Sequence, residues 1–249
     1  MGIEGSEGEA FKPSPPRKEP AMAWALLPVK APQGAKSRLA ASLSSEQRTG
    51  LAEAMRDDVA KTLGDCPALS GVLVLSPDAA VRRWGAAQGF AVLDDGGAGL
   101  NGALTLGLCD LAARGCERAV IIPSDVPLLS KEDLAVLSAP GGDVRLARDQ
   151  HGAGTNGLAL PLPSAFIPRF GVGSAKAHGQ EAQRQGLRFS VAACPSLALD
   201  LDHPDDLTAL LARDPEGRRA AMTVAFLYEH DLWARFAASD AIPAPRAAI

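Results

Sequence analysis

Four short apolar runs recur between stretches of helical spacing, and this alternation restricts the chain to very few architectures. The runs are AWALLPVK at 23–30, GVLVLS at 71–76, FAVLDD at 90–95 and RAVIIP at 118–123. Each has strand length and is apolar almost without interruption, as expected of a strand covered on both faces. Between them the apolar residues shift to helical spacing. Ser44 and Gln47 stand at the Ser-x-x-Gln spacing of a capping box, and Leu51, Met55, Val59 and Leu63 follow up to Gly64. Asp78 is placed to cap a helix reaching about Gln88, residues 100–114 read as helical, and another helix opens at Ser130. Strands and helices in this order build βαβ units. The expected class is therefore α/β: a Rossmann-like, mostly parallel sheet with helices on both faces.

After Gly142 the pattern changes. DVRLARD and GLALPLP flank the loop QHGAGTN; FGVGSAKAH then opens a polar helix to about Gln185, followed by RFSVAAC, LALDLD and a helix from near Pro204. Strands without full helices between them predict an antiparallel edge added to the parallel sheet, with Asp200 and Asp202 on a strand. Residues 1–22 are rich in Gly, Pro and charge and read as a disordered tail without the apolar core of a secretory signal. A single domain spans 23–212. Residues 213–249 form a C-terminal extension with one helical stretch from about Glu216 to Phe236 and a Pro/Ala tail.

Composition narrows the function classes. Of 249 residues 47% are hydrophobic, enough for a sizeable core, and the formal net charge of −4 offers no basic stripe for nucleic acid. Cys66, Cys109, Cys116 and Cys194 form no Cys-x-x-Cys pair, so they read as reduced thiols in a cytoplasmic protein. No stretch is long and apolar enough to span a membrane, and the opening Met-Gly-x-x-x-Ser is too short a pattern to argue lipidation.

The unusual residues fall at carboxyl ends of strands, where open α/β sheets bind ligands. Asp125 ends an apolar run, a costly place for a charge unless something offsets it. Asp200 and Asp202, two apart in an extended segment, point to one face. Three hard carboxylates of this kind suit Mg²⁺ beside substrate phosphates. The alternative for Asp202, capping the helix at Pro204, leaves Asp200 unexplained. Lys30, Gly34, Lys36 and Arg38 lie in the loop after the first strand, where cations and open backbone suit a polyphosphate, although no Walker A pattern is present. GAGTNG at 152–157 matches Gly-x-Gly-x-x-Gly, but the strand-like GLALPLP follows where a dinucleotide fingerprint needs a helix, so a nicotinamide dehydrogenase is disfavoured. Its Thr155 and Asn156 still offer polar groups to an anion. So do Gly171 and Ser174 where the next helix begins, with His178 one turn further in, read as structural or exposed rather than as a ligand contact.

Seven segments together carry a resemblance that chance hardly explains: PVKAPQGAKSRLA (28–40), RTGLAEAMRDDV (48–59), GLNGAL (99–104), PSDVPLL (123–129), GAGTNGL (152–158), FGVGSAKAH (170–178) and LALDLDHPDDL (197–207). In this order they resemble the guanylyltransferases of coenzyme F-420 biosynthesis, which activate 2-phospho-L-lactate, phosphoenolpyruvate or 3-phospho-D-glycerate with GTP. The resemblance covers roughly 23–212 and implies a nucleotide-diphospho-sugar transferase type of fold, shared with the molybdenum cofactor nucleotidyltransferases. It implies that Lys36 and the first loop hold GTP phosphates, that Gly99, Leu100 and Asn101 lie near the base, and that Asp125, Asp200 and Asp202 hold Mg²⁺. Thr155, Asn156, Gly171 and Ser174 would then hold the phosphorylated acid. Lys36 and Asp125 are the expected catalytic pair. The implied partners are the two small substrates and a downstream deazaflavin transferase, with no nucleic acid or membrane; a homodimer is left open. Two departures are visible: Ser124-Asp125-Val126-Pro127 replaces the family's usual Ala-Asp-Leu-Pro, and the termini extend beyond its pattern. The competing readings are another nucleotidyltransferase, acting on molybdopterin or a sugar phosphate, and a non-catalytic nucleotide-binding domain of the same fold.

Overall fold

A computed structural model describes residues 23–31, 36–141 and 144–237. Gly34 and the N-terminal tail, both named above, lie outside the described residues. Among the described residues the sheet has seven strands in the order β3-β2-β1-β4-β6-β5-β7. In chain order these are β1 (Ala23–Pro28), β2 (Leu69–Leu75), β3 (Ala91–Leu93), β4 (Arg118–Ile121), β5 (Val144–Arg148), β6 (Thr155–Pro161) and β7 (Phe189–Val191). The expected parallel core is present: β1 pairs with β2 and β4, and β2 with β3, all parallel. The expected antiparallel addition is made by β6 alone, which runs against both β4 and β5, while β7 is parallel to β5.

Side chains alternate across β1, and the two layers follow from that alternation. Ala25 and Leu27 pack with Val59 and Leu63 of α1 (Ser45–Gly64), Val81 of α2 (Ala79–Ala87) and Leu134 of α4 (Lys131–Ser138). Leu26 faces the other way, onto Leu104 and Leu108 of α3 (Gly99–Ala113), in a layer completed by Ala182 of α5 (Ser174–Arg184). Burial on both faces is why Ala25–Leu27 of β1 and Ala119–Ile121 of β4 are apolar without interruption. The capping box is formed: Ser44 Oγ accepts from Gln47 N at 3.1 Å and Gln47 Oε1 from Ser44 N at 3.0 Å.

Two expectations are corrected. Residues 197–202 are not a strand. A 3-10 turn at Pro195–Leu197 leads into an irregular extended segment whose Leu201 N–H donates to Asp125 O at 3.0 Å instead of joining a ladder. The alternation survives without the strand, because Leu197, Leu199 and Leu201 are buried while Asp200 and Asp202 face the other way, half-buried. The helix read from Glu216 to Phe236 is two helices, α7 (Ala221–Glu229) and α8 (Trp233–Phe236), broken where Asp231 adopts φ 53°.

Both helices, with α6 (Pro204–Arg213), close a third apolar cluster over Leu51 and Met55 of α1. Asp58 of α1 holds the start of α7, accepting from Met222 N at 2.9 Å, Thr223 N at 2.8 Å and Thr223 Oγ1 at 2.7 Å. Gly50 lets the helices meet, since a Cβ there would lie 2.5 Å from the Phe226 ring. Among the described residues no helix is long and apolar enough to cross a membrane.

Candidate active site

The chain leaves β1 toward β2 and β3, then returns to place β4 on the opposite side of β1. The strand order therefore reverses between β1 and β4, and a crevice opens beyond their carboxyl ends. A cleft of about 650 Å³ lies there, lined by Lys30 and Lys36 after β1, Asp95 and Gly97 after β3, Asp125 after β4, and Asp202. Gly99 and Leu100 at the start of α3 also line it.

Asp125 and Asp202 meet at one cation. Lys36 Nζ donates to Asp125 Oδ2 at 2.7 Å and to Asp202 Oδ1 at 2.8 Å, and Arg38 Nη1 donates to Asp202 Oδ2 at 2.8 Å. The Lys36 side chain is only 9% exposed, against 28% for Asp125, 33% for Asp202 and 62% for Arg38. Burial opposes the Lys36 ammonium, but the two carboxylates outweigh it and its pKa rises above the ordinary lysine value. Burial likewise raises Asp202, yet Lys36 and then Arg38 bring its pKa below the usual range. Lys36 sits at φ 53° and ψ 45°, a left-handed conformation that costs a non-glycine residue about 1–3 kcal/mol. Its side chain reaches into the cleft.

Local chemistry explains how such distant residues meet. Asp133 Oδ2 accepts from Ser196 N and Ser196 Oγ, both at 2.7 Å, and Ser130 N donates to Ser196 Oγ at 3.0 Å, tying the 195–197 turn to the start of α4. Asp202 does not cap α6. Asp206 Oδ2 does that work, accepting from His203 N at 2.7 Å and from Asp202 N at 2.9 Å.

Asp200 is set apart from this ion pair. Asn156 Nδ2 donates to Asp200 Oδ1 at 3.0 Å and to Leu197 O at 2.8 Å. Burial raises the Asp200 pKa, the Asn156 bond lowers it, and the charges of Asp125 and Asp202 raise it further. The oxygen donors are chemically suited to Mg²⁺, and the Lys36 ammonium stands where a cation is needed. With it between the carboxylates, no three Asp, Glu, His or Cys groups among the described residues are gathered tightly enough to enclose an ion.

A second polar group flanks the centre. It lies at the start of β6, where Thr155 precedes the Asn156 that binds Asp200. Thr155 Oγ1 lies 3.0 Å from Ser174 Oγ and 3.0 Å from His178 Nδ1, beside a turn in which Gly171 and Gly173 adopt φ 133° and 70°. Two of the expected contacts are engaged elsewhere. Asn101 clamps the backbone of Phe170, donating to its O at 3.1 Å and accepting from its N at 2.8 Å. Asn156 uses its amide donors on Asp200 and Leu197. These two residues shape the site from behind.

Sequence reasoning missed Arg56 and Asp95. Arg56 is buried on the cleft wall, bonded to Asp57 Oδ1 through Nε at 3.0 Å and Nη2 at 2.8 Å, with its guanidinium 3.9 Å from the Trp84 ring centroid. A helical Arg beside two Asp residues reads as a solvated face. Asp95 is also buried, accepting from Gly97 N at 2.9 Å; the Asp-Asp-Gly-Gly doublet was the available signal.

A family model described as guanylyl transferase CofC like matches residues 23–224. A phosphoenolpyruvate guanylyltransferase of Conexibacter woesei is 40% identical over 194 residues, covering 75% of this chain and 86% of its own. A 3-phospho-D-glycerate guanylyltransferase of Phenylobacterium zucineum is 38% identical over 206 residues, covering 80% of this chain and 94% of its own. A 2-phospho-L-lactate guanylyltransferase of Methanothermobacter thermautotrophicus is 38% identical over 190 residues, covering 75% and 83%. Among solved structures, one from Desulfovibrio desulfuricans G20 assigned to the nucleotide-diphospho-sugar transferases gives a TM-score of 0.69 at 18% identity, over 87% of this chain and 99% of its own. At that identity the likeness speaks for the fold alone.

Proposed function

The chain belongs to the CofC-like guanylyl transferases, and we propose that it transfers GMP from GTP to the phosphate of a small phosphorylated three-carbon acid. GTP lies in the cleft between the β1 and β4 ends, its phosphates toward Lys36 and Lys30 and its base toward Gly99 and Leu100. The acid lies by Thr155, Ser174 and Gly171. An oxygen of its phosphate attacks the α-phosphorus of GTP in line; the new P–O bond forms as the bond to the β-phosphate oxygen breaks, and pyrophosphate leaves. The attacking oxygen is already anionic, so no strong base is required, and the residues act by positioning and charge neutralisation. Lys36 is the cation for the charge that develops on the triphosphate. Mg²⁺, held by Asp125 and Asp202 with Asp200 beside them, supplies further neutralisation when bound.

The observation that carries this reading is the Lys36 ammonium shared by Asp125 and Asp202 at the reversal of strand order. Relatives named for three different acids stand at 38–40% identity, so the reading extends to the class of acid and not to one member. The capped acid is the kind of activated group that a deazaflavin transferase would consume, which places the reaction in coenzyme F-420 biosynthesis as part of the proposal. Mass spectrometry of GTP with phosphoenolpyruvate, 2-phospho-L-lactate or 3-phospho-D-glycerate, each supplied separately, tests it. A guanylylated acid with pyrophosphate supports the reading; GTP left intact with all of them refutes it.

A further inference from the structure

The Thr155–Ser174 hydroxyl pair has a direction, and a buried ring beside it sets that direction. Arg169 N–H donates to His178 Nε2 at 2.9 Å. A backbone amide can only donate, so Nε2 carries a lone pair and a neutral ring bears its proton on Nδ1. The ring is fully buried between Phe166 and Phe170. A cationic ring would turn an Nε2–H against the Arg169 N–H. Nδ1–H therefore donates to Thr155 Oγ1 at 3.0 Å.

The two hydroxyls now own two protons and share one bond, at 3.0 Å. Whichever donates to the other, one O–H is left over, and among the described residues neither hydroxyl has a further acceptor. The adjoining turn is open, with nothing within 4 Å of where a Cβ would stand at Gly171 or Gly173, while Thr155 and Ser174 keep only 7% and 2% of their surface exposed.

We propose that His178 is a positioning residue, whose tautomer makes the Thr155–Ser174 pair a net hydrogen-bond donor to the carboxylate or phosphate of the acid. With the proton on Nε2 the order would reverse. Thr155 would donate to Nδ1, Ser174 to Thr155, and the pair would meet an anion with lone pairs. The inference takes the identity of the anion from the proposed function and adds what orients its seat.

Two variants divide the roles of the ring. Asn carries its amide nitrogen near the Nδ1 position and keeps a donor there, whereas Asp sets an acceptor there that takes the spare hydroxyl proton. H178D is expected to raise the KM for the acid about tenfold or more, the loss of one charge-assisted hydrogen bond, with the KM for GTP and kcat at saturating acid within twofold. H178N keeps most of the acid KM. An unchanged acid KM in an active H178D, or GTP and acid KM rising together, overturns the proposal. Imidazole ¹⁵N NMR of the wild-type protein is independent of whether the variants fold: a proton on Nδ1 from pH 8 to pH 5 supports the proposal, and one on Nε2 overturns it. Failure of the functional reading looks different. Wild type then turns over none of the acids, and the ring proton alone decides the inference.

Discussion

Replacing Lys36 by methionine keeps an unbranched side chain one atom shorter and removes the charge that joins Asp125 to Asp202. The ammonium lies 2.7 Å and 2.8 Å from their oxygens. Without it Asp202 keeps Arg38, while Asp125 keeps no cationic partner among the described residues. Breaking a buried pair costs about 3–5 kcal/mol and an exposed one about 0–1 kcal/mol. Both carboxylates are close to a third exposed, so the expected loss is about 1–2 kcal/mol of stability, read by urea denaturation. The catalytic loss is larger, because a cation preorganised for developing charge is worth about 2.7–4 kcal/mol, or roughly 10²–10³ in kcat. The KM for the acid, held elsewhere, stays within about threefold. A third readout needs no turnover. Ammonium and divalent ion compete for the same oxygens, so K36M binds Mn²⁺ about tenfold more tightly than wild type in nucleotide-free titrations followed by electron paramagnetic resonance. A kcat within tenfold of wild type together with unchanged Mn²⁺ affinity would refute the reasoning.

The remaining predictions concern stability. D58A strips α7 of three bonds to one carboxylate and is expected to cost about 2–4 kcal/mol by urea denaturation; a cost under about 0.5 kcal/mol would mean the helix is held by packing alone. G50A places a methyl 2.5 Å from the Phe226 ring, so it should destabilise by about 1–3 kcal/mol despite alanine's better helix propensity. Pairing it with F226A should recover much of the loss, whereas simple additivity would contradict the contact. Burial lowers the His178 pKa from 6.5 to about 4, against the opposing charge of Glu181. The unfolded chain therefore binds a proton that the folded one does not between these values. That share of stability is complete above pH 6.5 and is lost as the pH falls toward 4, about 3 kcal/mol in all. H178N should flatten this stretch of the stability profile, and an equally steep one in the variant would show that another group is responsible.

Much of the fold was legible because buried parallel strands leave little freedom of composition. AWALLP and the AVI of β4 are apolar since both faces are covered, and the Ser44–Gln47 cap marks the start of α1 in four residues. The acidic centre was legible for a different reason: carboxylates at strand ends are costly without a partner, and Lys36 is that partner for two of them. What failed was inference from alternation to pairing. Leu197, Leu199 and Leu201 alternate with Ala198, Asp200 and Asp202 as in a strand, but a ladder also needs a free neighbouring edge, and here one bond to Asp125 O takes its place. The break between α7 and α8 falls at Asp231, in a stretch from 221 to 236 that holds no Gly or Pro to mark it. Asn101 and Asn156 were read as ligand contacts, and their amides bond Phe170 O and Asp200, since side-chain amides bond protein and ligand alike. Arg56 and Asp95 depend on tertiary burial, which spacing does not encode.

The central claim is that the centre of Lys36, Asp125 and Asp202 moves GMP onto the phosphate of a small acid. Its most direct measurement follows α-phosphate-labelled GTP with each acid in turn, counting label in the acid product and pyrophosphate released. The account predicts one pyrophosphate per labelled product with at least one acid, and loss of both in D125A. No label in any acid, or D125A turning over within about tenfold of wild type, less than ~1.4 kcal/mol of barrier, would contradict it.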